Sequence, residues 1–119
     1  MANQNAKGIK RLINACIFSV AGFKATWTHE EAFRQEVIIF VVSTPIALWL
    51  GETTVEKLLL IGSVVLLMLV ELLNSAVEAV VDRVGFEHHE LSGRAKDIGS
   101  AAVMMSLAWA AVTWTLILI

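Results

Sequence analysis

A single cysteine, Cys16, stands among 119 residues, so no disulfide can close within the chain. It lies on an apolar stripe, where a packed thiol is its expected state. The three histidines, His29, His88 and His89, lack the spacing of a zinc site. Gly93-Arg94-Ala95-Lys96 is not a P-loop, because the Gly-x4-Gly-Lys spacing is absent. The net charge of −2 says little about partners, and no basic patch suggests nucleic acid. The chain shows no secretory signal pattern, repeat, low-complexity tract or linker. Charge itself is missing from three long stretches: residues 37–51, 58–70 and 98–119 carry none.

Those uncharged stretches set the fold class. The chain is 57% hydrophobic, with a mean hydropathy of +0.73. Residues 98–119 can span a bilayer alone. The other two stretches reach that length if flanking charges such as Glu36 lie at the interface, or if Glu71 and Glu78 face other protein. The expectation is a single all-α membrane domain, residues 1–119, with three transmembrane helices at about 29–50, 55–82 and 96–119. Three thin helices cannot wall both a polar site and a lipid, so oligomerisation is expected.

Residues 7–27 predict an amphipathic surface helix. Ile9, Leu12, Ile13, Cys16, Ile17, Val20, Phe23 and Trp27 follow the helical period, with Lys10, Arg11, Asn14 and Lys24 off the centre of that stripe. Thr28-His29-Glu30-Glu31 matches a capping box, which predicts a helix start at Thr28. Pro45 marks a candidate kink, and Trp49 suits the far interface. Gly51-Glu52-Thr53-Thr54 reads as a turn. Gly85 and Gly93 bracket a charged stretch. Gly99, Ser100, Ala101 and Ala102 open the last span and predict close helix packing.

Basic residues fix the expected orientation. Lys7, Lys10, Arg11, Lys24 and Arg34 precede or open the first span, and Arg83, Arg94 and Lys96 lie in the second loop. The first loop holds only Lys57. The N-terminus and second loop are therefore expected on the cytoplasmic side.

The most informative feature is a polar stripe on an apolar helix. Glu71, Asn74, Glu78 and Asp82 recur at i, i+3, i+7 and i+11, which places them on one face. A charge at membrane depth costs roughly 2.5–3.5 kcal/mol on insertion scales, so a row of acids points to chemistry or ion binding. Glu30, Arg34 and Glu36 enter the first span at the same depth, and Lys96 and Asp97 enter the third.

That set suits phosphoryl transfer, which needs a divalent cation on the phosphates, a cation near the transferring group and a residue to take the acceptor's proton. Mg²⁺ is commonly held by one or two carboxylates plus phosphates. Glu71, the deepest acid, is the candidate general base. Plainer readings stand beside these. Glu30 and Arg34, four apart, fit a simple ion pair. Asn74 fits interhelical glue, Asp82 and Arg83 mark the helix exit, and Trp109 and Trp114 fit lipid-facing or interhelical positions.

Three stretches resemble the bacterial integral-membrane diacylglycerol kinases: residues 32–36, 70–83 and 89–103, in the family's order and spacing. The resemblance implies a homotrimer in the bacterial inner membrane, with three spans and one surface helix per chain and its active site cytoplasmic. It implies transfer of the γ-phosphate of MgATP to diacylglycerol, giving phosphatidic acid. By motif position it makes Glu71 the catalytic base, Asn74 its polar partner, and Glu30 and Glu78 the metal ligands. Lys96 and Asp97 become nucleotide contacts, with Lys96 near the phosphates. Glu87, His88 and His89 fall where the family's loop meets the nucleotide. Arg11 lies near both substrates, and Gln35, Glu36 and Ser100 line the lipid site together with Glu71. Phe18 stands where a tyrosine is expected, and Asn14 and Ala21 stand where relatives can carry lysine.

Two rivals remain at this point. Related small membrane kinases phosphorylate undecaprenol, and the shared motifs do not separate the two acceptors. A proton- or ion-conducting subunit would also use membrane carboxylates. A conduit needs acids in both halves of the bilayer, however, and here they sit at one side.

Overall fold

The computed structural model describes residues 5–85 and 89–119. Four helices follow in order: α1 Gly8–His29, α2 Glu31–Leu50, α3 Thr54–Val84 and α4 Glu90–Leu118. The chain divides into two compact units, Met1–Glu31 and Ala32–Ile119.

In the first unit, α1 buries no residue: Ile9, Leu12, Ile13, Ile17, Val20, Phe23 and Trp27 are all exposed, and so is Cys16, against the expectation of a packed thiol. Thr28 does not open a helix as expected but lies inside α1. Its Oγ1 donates to the Lys24 carbonyl at 2.8 Å, as Thr26 does to Gly22 and Ser19 to Ala15. The helix runs on to His29, breaks at the extended backbone of Glu30 (φ −118°, ψ 106°), and α2 opens on Glu31.

The second unit holds three helices long and apolar enough to cross a membrane, α2, α3 and α4. α2 continues through Pro45 to Leu50. Gly51 then lets the chain turn: a Cβ there would lie 2.8 Å from the Ala47 carbonyl oxygen and 2.7 Å from the Lys57 side chain. The capping box belongs to the next helix. Thr53 Oγ1 accepts from Glu56 N at 3.1 Å, and Glu56 Oε2 accepts from Thr53 N at 2.8 Å, so α3 starts at Thr54. α4 begins earlier than the expected residue 96. The His89 imidazole Nδ1 accepts from Leu91 N at 3.0 Å and caps it, and Glu90 and Arg94 pair at 3.4 Å along its first turn.

α3 and α4 form the main helix pair. On α3 the inward positions Leu60, Val64, Leu67, Glu71, Asn74 and Glu78 alternate in steps of four and three. Gly99, Val103, Ser106, Ala110, Thr113 and Ile117 do the same on α4. Such a pattern is the seam of two helices packed knobs into holes. Two side-chain bonds set the register: Trp114 Nε1 donates to the Leu60 carbonyl at 3.1 Å, and Lys96 Nζ meets Asp82 Oδ1 at 2.7 Å. The helices are therefore antiparallel. Of the small residues expected to pack at the start of α4, only Gly99 faces inward; Ser100, Ala101 and Ala102 are exposed. Packing alternates three and four residues apart, whereas a consecutive run covers every face of a helix. Trp109 is exposed, and Trp114 is part-buried between helices.

Candidate active site

The α3 seam changes character along its length. Its first layers, Leu60, Val64 and Leu67, are buried and apolar. The same seam then presents Glu71, Asn74 and Glu78, and Asp82 follows at the helix exit. With a rise of 1.5 Å per residue, Glu71 to Asp82 covers about 16 Å of one face.

Glu71 is the most buried of these acids, at 5% exposure, and Glu36 of α2 is buried beside it at 7%. The two carboxyl groups lie within hydrogen-bonding reach of each other. Glu36 Oε1 has no hydrogen-bond partner among the described residues, which leaves an acceptor open beside Glu71.

One turn further on, Asn74 Nδ2 donates to Glu78 Oε1 at 3.3 Å. This bond orients one carboxylate of the row and leaves its second oxygen available. Asn74 Oδ1 is buried and has no hydrogen-bond partner among the described residues. At the open end, Lys96 and Asp82 form their ion pair with side chains 46% and 42% exposed. A pair this solvated is weak, so a phosphate could displace the carboxylate at little cost.

The structure thus joins Glu36 to Glu71, Asn74 to Glu78, and Asp82 to Lys96. Asp97, Ser100 and Gln35 are exposed. His89 is exposed and serves as the cap of α4. Glu87 and His88 lie outside the described residues. Arg11 and Glu30 belong to the first unit. Two relationships were not visible in the sequence: the Glu36–Glu71 pair, and Asp82 as the partner of Lys96. The step of four and three shared by α3 and α4 was the available signal for the second.

Among the described residues, no three His, Cys, Asp or Glu side chains converge as a protein-only metal cage. Mg²⁺ does not need one, since it is usually held by one or two carboxylates together with substrate phosphates. A half-buried glutamate fixed by an amide at the wet end of the row has the hard-oxygen chemistry that ion prefers, so the residues fit the group.

Three apolar spans with an acidic row at one end of the helix pair define a multi-pass membrane protein. Residues 17–118 match the prokaryotic diacylglycerol kinase family. The diacylglycerol kinase of Escherichia coli K12 is 52% identical over 118 residues, covering 99% of this chain and 96% of that one. That of Haemophilus influenzae is 50% identical over 107 residues, covering 90% and 91%. That of Pseudomonas aeruginosa is 49% identical over 112 residues, covering 94% and 91%. The chain belongs to the prokaryotic diacylglycerol kinase family and, as a member, is a lipid kinase that uses ATP as co-substrate.

Proposed function

We propose that the chain phosphorylates diacylglycerol to phosphatidic acid at the membrane surface, with Glu71 as general base. The burial of Glu71 beside Glu36 carries this reading. Glu71 is oriented by its neighbour and shielded from water. The acceptor hydroxyl gives its proton to Glu71 as its oxygen bonds to the γ-phosphorus. The bond from that phosphorus to the bridging oxygen breaks, and ADP leaves. Lys96, released from Asp82, neutralises charge on the phosphates. Base catalysis supplies about 10²–10⁴-fold of the rate, and positioning and electrostatics supply the rest.

Glu78 and Glu30 are the carboxylates that would hold Mg²⁺, which when bound neutralises phosphate charge. Arg11, Asp97, Glu87, His88 and His89 are proposed to contact the nucleotide, and Gln35, Glu36 and Ser100 the lipid. The same reading makes the enzyme a homotrimer in the bacterial inner membrane, with the site on the cytoplasmic side. Most of the most apolar stretch of each span is not buried within the chain, which leaves surface for lipid or for another copy.

Transfer of ³²P from γ-labelled ATP to a panel of lipid alcohols tests the reading. Diacylglycerol should be the preferred acceptor. Preference for undecaprenol would overturn it.

A further inference from the structure

We infer that Gly99 is a positioning residue, and that its missing side chain holds the Asn74 amide, and through it Glu78, in working geometry. The inference rests on the roles proposed above for Asn74 and Glu78.

Gly99 sits on the α4 seam opposite Asn74 of α3. A Cβ built on Gly99 would overlap Asn74 Oδ1 and crowd Asn74 Cγ at 3.1 Å. The nearest atoms it would meet all belong to Asn74. In the glycine, an α-hydrogen takes that position and faces Oδ1. The oxygen is buried and has no other hydrogen-bond partner among the described residues. A Cα–H···O contact of this kind is weak, but it recurs where helices pack closely. It explains how a buried amide oxygen is tolerated without a conventional donor.

The consequence runs along one side chain. Asn74 is fixed at its oxygen by the α4 backbone, so its Nδ2 points at Glu78 Oε1, 3.3 Å away. Any other residue at position 99 would push the amide off the seam. The bond to Glu78 would then lengthen or break, and the carboxylate would swing free. Gly22, Gly62 and Gly93, also within helices, have open space where a Cβ would go. The demand for glycine is therefore local to position 99 and is not a general need for small residues.

A double-mutant cycle tests this with Gly99→Ala, Asn74→Ala and the double variant, in the full-length enzyme. Two readouts are used: the thermal unfolding midpoint in detergent, and kcat with the apparent KM for Mg²⁺. Gly99→Ala should lower the midpoint and reduce turnover by about tenfold to a hundredfold, as expected for a displaced catalytic constellation. It should also raise the apparent KM for Mg²⁺. In the Asn74→Ala background, the same substitution should cost nothing further in activity and should restore the midpoint, because the obstructing amide is gone. If Gly99→Ala fails to fold but the double variant folds, the inference is again supported. Additive losses, or a double variant no more stable than Gly99→Ala, would overturn it. Should Asn74→Ala alone leave kcat and Mg²⁺ dependence unchanged, the proposed roles of Asn74 and Glu78 fail, while the unfolding midpoints still decide whether Gly99 acts on Asn74.

Discussion

The Trp114 indole N–H donates to the Leu60 carbonyl at 3.1 Å, joining α4 to α3 across 54 residues of sequence. It clamps the apolar end of the helix pair, away from the acids. The same carbonyl also accepts from the Ser63 hydroxyl at 2.9 Å. Losing the indole donor therefore does not orphan the acceptor. Trp114→Phe should lower unfolding stability by about 0.5–1.5 kcal/mol, measured by denaturant titration in detergent, and leave the KM for ATP unchanged. A changed KM would mean that the clamp also shapes the site.

Glu36 and Glu71 are best separated by conservative replacement. Glu36→Gln retains a donor for the Glu71 carboxylate and should keep turnover within about tenfold of wild type. Glu36→Ala removes the donor and leaves a gap, and should lose about a hundredfold in kcat, the scale of a misplaced catalytic group. Steady-state kinetics with diacylglycerol would show this as a fall in kcat larger than any change in KM. Equal activity in the two variants would remove Glu36 as the group that orients the base.

Lys96→Met should raise the KM for ATP with little effect on folding, because its pair with Asp82 is exposed and screened by solvent. Asp82→Asn frees the ammonium and should hold the KM for ATP level or lower it. Unfolding midpoints and ATP titrations check both. A large stability loss in either variant would make the pair a structural element instead.

The sequence shows the α3 stripe plainly, because four polar residues on a helical period stand out against an apolar background. The spans are legible for the same reason. The joints between helices are less so. Thr28 and Thr53 both begin a capping-box pattern, yet Thr53 caps a helix start while Thr28 lies within α1. Thr28 follows an unbroken helical run, whereas Thr53 follows the Gly51 turn. The stretch between Gly85 and Gly93 reads as loop, but the His89 cap allows α4 to start at Glu90. Gly93 then lies within that helix. Glu36 meets Glu71 through the rotation of α2 against α3, a tertiary quantity that no local pattern encodes. Gly99 looks like one of four small residues in a row until the seam of α4 is known.

The claim that Glu71 takes the acceptor's proton has a direct measurement. Single-turnover transfer from γ-labelled ATP to diacylglycerol should slow by about 10²–10⁴-fold in Glu71→Gln. Its unfolding midpoint and its affinity for ATP should stay near wild type. Transfer at the wild-type rate by a folded, ATP-binding Glu71→Gln would contradict the claim.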